Sequence, residues 1–434
     1  MALANGRYLL RYKVLMTNKS VMNISDENDE PIVLKDLETR QVYMPGTTLA
    51  GAFRSYVKDN IDIDDKKLFG DKNLSKFFIY DSYADFEKYE TRPSVKIDEH
   101  TGANKEKSKF DRYYVGAGHN FNLKFEVYAD SEEDKENYKK VVYELLSALD
   151  SGDIMIGSYK SIGAGAMEIK EIAEEDIDLK DKKQLFSYLK GQEKYKKIEK
   201  STLKKANAEN IVTFELKGNL KTPILIKGND SLDYKRPDGE NITNADEKYF
   251  IPGSSIKGVV RNEARKVLKS LNKIELEKAI FGSSDDNDDK KLASKIRFFD
   301  AFIEKDLKAI YNRIKIDKFT GGVRKSAILN DEPLTGDIKL IAKYYCNYEE
   351  KDEKEKQCKE KEINTAIGLI SVIFKNIAIG EVAFGSGNSI GRGRVDGKRL
   401  VIKKGNKTLY DFDFEKEKEI VNNLSLYISA LKEA

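Results

Sequence analysis

Two nine-residue stretches, 43–51 and 250–258, combine a Pro-Gly pair with neighbouring hydroxyl residues. Such a combination is typical of a helix start, where side-chain oxygens accept hydrogen bonds from the first backbone amides. A helix start also presents unpaired N–H groups and the positive end of the helix dipole, which together suit a phosphate group. The hydroxyl residues that we expect to cap these helices and to lie beside a bound phosphate are Thr47, Thr48, Ser254 and Ser255.

Cationic residues follow on the first turns of both expected helices. Arg54 and Arg261 each stand three residues after the closing glycine of their stretch, and the second stretch adds Lys257. These side chains could contact a phosphate bound at the helix start. The first stretch has Ala50 where the second has Lys257, which weakens the prediction for the first copy. A capped helix without a ligand is the alternative, but the recurrence of the element favours binding.

A glycine-rich loop lies near the end of each half of the chain, at residues 157–165 and 385–393. Glycine allows the backbone to approach a ligand closely and to adopt positive φ. Neither loop has the dinucleotide-binding fingerprint or a P-loop lysine. The second loop carries two arginines that could hold phosphates, whereas the first has none, which favours packing or close backbone approach. The loop residues predicted to contact a phosphate backbone are Gly163, Gly165, Gly391, Arg392, Gly393 and Arg394.

Other short motifs recur between these two elements in the same order. Residues 68–70 correspond to 280–282, and residues 78–81 correspond to 297–300. Self-similarity of this length, with conserved order and spacing, indicates a tandem duplication of one domain. The chain has 434 residues, which is enough for two domains of about 200 residues each.

Hydrophobic periodicity predicts the same series of elements in each copy. An opening strand precedes each Pro-Gly helix, two strands and a second helix follow, and a last strand comes after the glycine-rich loop. This β-α-β-β-α-β order predicts an α+β fold of two ferredoxin-like domains. The predicted boundaries are 1–175 for the first domain, 176–208 for a charged linker, 209–405 for the second domain with a charged surface insert at 348–361, and 406–434 for a helical tail.

The amino-acid composition argues against several classes of protein and of site. The 77 basic and 74 acidic residues almost cancel, so net charge does not identify a partner. Two cysteines and two histidines, His100 and His119, argue against a zinc cluster and a disulfide framework, and we predict no resident metal site. We find neither an apolar stretch long enough to span a membrane nor a secretion signal, so we expect a cytoplasmic protein without a membrane partner.

Taken together, the ferredoxin-like order, the Pro-Gly-Ser-Ser-x-Lys-Gly motif and the late Gly-x-Gly loop resemble the RAMP proteins. The resemblance is greatest to the backbone subunits of type III CRISPR effector complexes, which bind guide RNA, and the tandem arrangement is similar to two-copy fusions of the type III-D branch. It covers nearly the whole chain, excepting the linker, the insert and the tail. It implies guide crRNA, target RNA and other effector subunits as partners. It also implies thumb hairpins at about 91–120 and 311–338 that interrupt guide–target pairing.

The same resemblance implies a target-cleaving aspartate between the first strand and the Pro-Gly helix of each copy. In the first copy Asp29 begins an Asp-x-Pro-hydrophobic segment like that of the family, with Asp26 as the second choice. In the second copy Asp233 is the first choice and Asp230 the second. A single carboxylate could orient the attacking 2′-hydroxyl or bind a divalent cation near a splayed phosphodiester. The implied activity is that of an endoribonuclease that depends on Mg²⁺ or another divalent cation and makes one cut per domain.

Two other functions remain open from the sequence. The chain could bind guide RNA without cutting anything, in which case the loop acids are ordinary solvent-exposed residues. It could also be a RAMP-type endoribonuclease that processes guide RNA with histidine as general base. His100 and His119 both fall in or beside the first predicted thumb, away from the helix start, which argues against the processing function.

Overall fold

The structure is a computed structural model that describes residues 6–24, 34–36, 38–85, 89–97, 104–203, 209–228, 237–283, 292–346 and 353–433. The chain divides into two compact units. Unit 1 comprises Met1–Thr91, Tyr113–Lys160 and Ala164–Ala208, and unit 2 comprises Arg92–Arg112, Ser161–Gly163 and Glu209–Ala434. The main division lies between residues 208 and 209, and two earlier segments also belong to unit 2.

Thirteen strands and helices precede residue 200 in the described part of the chain. They are β1 (Tyr8–Asn18), β2 (Val42–Met44), α1 (Gly46–Asn60), α2 (Asp65–Phe69), β3 (Phe77–Ile79), β4 (Ser82–Ala84), β5 (Tyr89–Ile97), β6 (Asn104–Val115), β7 (Asn120–Ala129), α3 (Glu132–Ser151), β8 (Met167–Asp178), α4 (Lys182–Leu189) and β9 (Lys196–Ile198).

The central sheet of unit 1 has the strand order β3-β7-β1-β8-β9. Strand β1 is antiparallel to both neighbours, with Tyr12 opposite Phe125 in β7 and opposite Glu174 in β8. Helix α1 joins β1 to β3, and α3 joins β7 to β8, so the order of the first four strands is that of a ferredoxin-like domain. Alternate residues of β1 point into a core that contains the stacked rings of Tyr12 and Phe125, 4.9 Å apart.

The second face of this sheet is also covered, which corrects the prediction of a charged linker at 176–208. Strand β8 continues to Asp178, and α4 follows. Leu9 of β1 packs with Leu179, Leu185 and Tyr188 in a second apolar cluster. The segment is rich in lysine because its outer side faces water, whereas its few apolar residues cover the sheet.

Fourteen elements follow in the described part of unit 2. They are β10 (Ile211–Leu220), β11 (Phe250–Ile251), α5 (Gly253–Ser270), α6 (Glu275–Phe281), β12 (Ile296–Phe298), β13 (Ala301–Lys308), β14 (Tyr311–Ile316), β15 (Val323–Asp331), β16 (Leu334–Tyr345), α7 (Glu353–Ala378), β17 (Val395–Lys404), β18 (Lys407–Asp413), β19 (Lys418–Asn422) and α8 (Ser425–Glu433).

The sheet of unit 2 repeats the ferredoxin-like order. Strands follow one another as β13-β16-β10-β17-β18-β19, and β12 also pairs with β16. The order β12-β16-β10-β17 corresponds to β3-β7-β1-β8 of unit 1. The predicted α+β fold with two ferredoxin-like domains is therefore confirmed.

Two details of unit 2 differ from the sequence-based expectation. The tail beyond residue 405 first forms β18 and β19, which extend the sheet, and only Ser425–Glu433 are helical. The middle residues of β18, Leu409, Tyr410 and Asp411, are buried, whereas β19 at the edge of the sheet is mostly exposed. The described part of the charged insert at 348–361 is the start of the long helix α7, and it is mostly exposed between residues 357 and 361.

A β-hairpin lies in each of the two segments that were predicted to be thumbs. Strands β5 and β6 form one two-stranded sheet, and β14 and β15 form the other. Residues 98–103, between β5 and β6 in sequence, lie outside the described residues. None of the described helices combines the length and apolarity that a membrane span requires.

Candidate nucleic-acid interface

The two Pro-Gly helices begin in the same way, with an aspartate at the first amide. The backbone N–H of Gly46 donates to Oδ1 of Asp81 at 2.7 Å, and that of Gly253 donates to Oδ1 of Asp300 at 2.8 Å. The residue before each helix is proline, and no side-chain cap is formed there. The prediction that Thr47, Thr48, Ser254 and Ser255 cap the helices is therefore wrong, because a carboxylate from the strand end beside each helix takes that position.

Close packing explains the glycine at each helix start. A Cβ on Gly46 would lie 2.3 Å from the carbonyl oxygen of Ile79, and a Cβ on Gly253 would lie 2.4 Å from that of Phe298. Each helix therefore begins directly against the end of β3 or β12, which brings the aspartate within reach. The first-turn hydroxyl residues stay at least partly accessible, and Thr47 is exposed.

Arg54 and Arg261 have internal partners. Arg54 Nε lies 2.7 Å from Asp65 Oδ2 at the start of α2. Arg261 pairs with the buried Glu277 of α6, and its Nη2 donates to the carbonyl of Gly282 at 3.0 Å. These arginines hold α1 to α2 and α5 to α6, a structural role that the sequence did not reveal.

Lys257 differs from these arginines. It is half-buried on the first turn of α5, and no carboxylate pairs with it among the described residues. Burial, together with the positive charges of Arg261 and Arg112, lowers the pKa of its ammonium group to about 8. A partly desolvated cation among cations is a favourable site for an anion, since an anion would relieve both penalties.

Strand β5 contributes a further arginine to unit 2. Arg92 Nη1 lies 2.8 Å from Asp300 Oδ2, the oxygen that does not bind the amide of Gly253. The guanidinium of Arg92 also stacks 4.5 Å from the ring centre of Phe250, and both members of the ion pair are largely buried. Asp300 therefore has a cation and a helix start as partners, and its negative charge is balanced.

The glycine-rich loops pack against the chain just after the first strand of each copy. A Cβ on Gly157 would lie 2.2 Å from the carbonyl oxygen of Asn23, and one on Gly385 would lie 2.5 Å from that of Leu225. The same carbonyls accept hydrogen bonds from Ser158 at 2.8 Å and Ser386 at 2.7 Å. Glycine is required at these places because the two backbones approach so closely.

The later glycines are equally constrained. Gly165 and Gly393 have φ of +87° and +75°, and a Cβ on either would lie 1.9 Å from a backbone carbonyl oxygen. Gly163 has φ of +85°, and a Cβ on it would lie 2.7 Å from the carbonyl oxygen of Phe298. Gly391 alone in this group has open space around the Cβ position, with φ of +83°. Of the four predicted glycines, Gly391 is the one that a ligand backbone could approach.

Both arginines of the second loop have hydrogen-bond partners within the chain. Arg392 is buried, and its Nη1 donates to Oδ2 of the buried Asp331 at 2.9 Å. Arg394 Nη1 donates to the carbonyl of Gly380 at 2.5 Å. The burial of Arg392 and its ion pair with Asp331, which is distant in sequence, argue against the predicted phosphate contact. Arg394 has at least one internal partner.

The four candidate catalytic acids, Asp26, Asp29, Asp230 and Asp233, lie outside the described residues. The chain on either side of them is described. The backbone N–H of Leu34 donates to the carbonyl oxygen of Ile24 at 2.8 Å, and that of Ile242 donates to the carbonyl oxygen of Ile226 at 2.8 Å. In both copies this closure lies next to the carbonyl held by the glycine-rich loop.

No cluster of three or more histidine, cysteine, aspartate or glutamate side chains that could hold a metal occurs within the described ranges. His119 Nδ1 lies 3.0 Å from the carbonyl oxygen of Gly116, beside the first hairpin, and His100 lies outside the described residues.

The sequence matches the RAMP superfamily twice, over residues 21–168 and 217–396. A comparison with curated proteins found no match. One similar solved chain comes from a structure described as the cryo-EM structure of the type III-B Cmr-beta bound to cognate target RNA, with a TM-score of 0.31 and 15% identity. That match covers 40% of this chain and 61% of the other chain, less than two thirds of its length. Because the two family matches together span most of the sequence and fall on the two ferredoxin-like copies, the protein belongs to the RAMP superfamily.

Proposed function

We propose that the protein is a guide-RNA-binding backbone subunit of a type III CRISPR effector complex, with crRNA, target RNA and other effector subunits as partners. Membership of the RAMP superfamily, the tandem copies and the two hairpins support this proposal. Sequence recognition would come from guide–target base pairing, while the protein binds the RNA backbone and shape.

The observation that carries the proposal is Lys257. It is half-buried, lacks a carboxylate partner among the described residues, and lies near Arg112 and Arg261 at the first turn of α5. A phosphate of the guide would supply the missing negative charge. The hydroxyls of Ser254 and Ser255 on the same turn would add neutral contacts to that phosphate, and Gly391, with open space at its Cβ position, would be a separate contact.

Binding of a labelled single-stranded RNA to the full chain tests this role. Lys257→Met should weaken binding about tenfold and reduce the slope of log K against log salt by about 0.7, the value for one phosphate contact on a single strand. Lys266→Met is the matched control, because Lys266 lies farther along α5 and pairs with Glu263 at 2.6 Å. Equal affinities for wild type and both variants would refute the role of Lys257.

The finer part of the proposal is cleavage of target RNA, one cut per copy, through Asp29 and Asp233. In both copies the described residues that flank the acid-bearing segment are hydrogen-bonded to each other beside the glycine-rich loop, and this shared arrangement supports equivalent roles for the two segments. The carboxylates would orient the attacking hydroxyl, and Mg²⁺, if bound, would stabilise negative charge on the phosphate.

A cleavage map of labelled target RNA tests this part, with the guide-bound complex in magnesium and in EDTA. Loss of one distinct cut in Asp29→Ala and of another in Asp233→Ala, with target binding intact, would establish two nuclease centres. Asp26→Ala and Asp230→Ala follow if the first pair has no effect. If every cut survives all four changes, the chain is a non-catalytic RNA-binding subunit.

A further inference from the structure

The Arg92 ion pair lies on a small receptor built from three residues of unit 2. Asp300 provides the carboxylate, and Phe250 provides the ring on which the guanidinium stacks. Phe302 supports that ring from the neighbouring strand, with the two ring centres 5.9 Å apart. Phe250 and Phe302 are directly opposite each other in the pairing of β11 with β13.

The same receptor is built in unit 1. Asp81 corresponds to Asp300, since each accepts the amide of the glycine that starts the Pro-Gly helix. Tyr43 and Tyr83 occupy the places of the two phenylalanines, because they are directly opposite each other in the pairing of β2 with β4. Their ring centres are 5.8 Å apart, and the rings are stacked.

The two receptors differ in occupancy. In unit 2 the side chain of Asp300 is only 6% exposed, because Arg92 covers it. In unit 1 Asp81 is exposed, and Tyr83 is 39% exposed. Oδ1 of Asp81 binds the helix amide, and its Oδ2 has no partner among the described residues. An exposed carboxylate beside an accessible tyrosine pair is suited to a guanidinium, which combines an ion pair with stacking.

We propose that Asp81, Tyr43 and Tyr83 form a docking site for an arginine on a β-hairpin of another protein chain. The internal duplication shows the chemistry of the occupant, since Arg92 of strand β5 fills the equivalent site of unit 2. An acidic and aromatic site excludes an RNA backbone as the ligand, because phosphates would be repelled by the carboxylate.

The occupant is a different protein and not a second copy of this chain. The hairpin of β5 and β6 already uses Arg92 inside its own chain. The second hairpin has Tyr311 at the position of Arg92, eleven residues after the shared aspartate in both copies. Its nearby Arg313 is engaged with the buried Asp331. This chain therefore has no spare hairpin arginine at the matching position.

A cyclised peptide with the sequence of residues 89–115 of this chain serves as the probe, because it carries Arg92 in its native sequence. We expect it to bind the full-length protein in a calorimetric titration, and the peptide with Arg92→Ala to bind at least about tenfold more weakly. The protein variants Asp81→Asn and Tyr83→Arg should weaken binding similarly. A photoreactive group in place of Val95 of the peptide should crosslink to the segment that contains Tyr43 or Tyr83.

Asp81→Asn keeps an oxygen that can accept the amide of Gly46, and Tyr83→Arg leaves that cap untouched, so the pair separates loss of the site from loss of the helix start. Melting temperatures verify that both variants fold. Absence of binding to the wild type up to millimolar peptide would overturn the proposal. Binding that survives Asp81→Asn but is lost with Asp300→Asn would also overturn it, since the peptide would then exchange with the chain's own hairpin. None of these measurements depends on RNA.

Discussion

The guanidinium of Arg392 and the carboxylate of Asp331 form a buried ion pair, with Nη1 and Oδ2 2.9 Å apart and the Asp331 side chain 1% exposed. Arg313 of the second hairpin pairs with the same oxygen. A Cβ on Gly239 would lie 2.6 Å from Asp331 Oδ1, so the chain that returns from the second acid-bearing loop also contacts this carboxylate. One buried acid therefore joins the hairpin, the glycine-rich loop and the end of the predicted catalytic loop.

Removal of Arg392 should destabilise the protein strongly. Arg392→Met leaves Asp331 buried with only the half-exposed Arg313 as its cationic partner among the described residues, and we expect the free energy of unfolding to fall by about 3 kcal/mol. Urea denaturation measures the change. Arg313→Met is the control and should cost less than about 1 kcal/mol, because its side chain is 44% exposed. Equal losses in the two variants would contradict the central place of Arg392.

The affinity for RNA should fall as the pH rises through the range in which Lys257 loses its proton. Because its pKa is about 8, the ammonium is charged below that pH and neutral above it, well before an ordinary lysine loses its charge. Wild-type binding should be constant from about pH 6 to 7 and weaken as pH rises through about 8. Lys257→Arg should bind with little change across this range, since arginine stays charged. Parallel pH profiles for the two proteins would argue against this lysine as the titrating group.

Lys257→Met should also stabilise the fold while it weakens RNA binding. A lysine whose pKa is lowered in the folded state binds its proton more weakly there than in the unfolded chain, so the charge opposes folding below about pH 8. The variant should therefore melt at a higher temperature than wild type at pH 7. The difference should shrink as pH rises from about 8 towards the ordinary lysine pKa near 10.4. A lower melting temperature at pH 7 would mean that Lys257 has a stabilising partner.

The glycines of the second loop should differ in their tolerance of a side chain. Gly393→Ala places a Cβ 1.9 Å from the carbonyl oxygen of Phe384 at positive φ, and we expect a loss above about 3 kcal/mol in the free energy of unfolding. Gly391→Ala is the matched control, with positive φ but open space, and should cost about 1 kcal/mol. Denaturation curves of the two variants decide the point, and similar curves would show that the loop relaxes to accept the methyl group.

The topology of both copies can be predicted from the sequence, because hydrophobic periodicity indicates the elements and the repeated motifs show that their order is the same in each copy. The partners of the charged residues cannot be predicted in this way. Arg392 has the residue type and glycine setting of a phosphate contact, yet its role depends on Asp331, which is 61 positions away. The lysine-rich segment after β8 has the composition of a linker, whereas Leu179 and Leu185 pack it against the sheet.

The capping aspartates could have been found from sequence. Asp81 and Asp300 end the same repeated motif in both copies, and an acid shared at the end of a strand is a signal for a helix start nearby. The hydroxyl residues have the local spacing of caps, but that spacing carries no information about a distant carboxylate. The contact is made across 35 residues in one copy and 47 in the other, a separation that helix-start rules do not cover.

The difference between Arg92 and Tyr311 has a consequence for assembly. A hairpin that carried arginine at position 311 would give this chain both a docking site and a matching ligand, and heterologous contacts of that kind can repeat into filaments. With Tyr311 at that position, the proposed contact between two copies lacks its cation. The proposed docking site is therefore expected to select a different protein over a second copy of this chain.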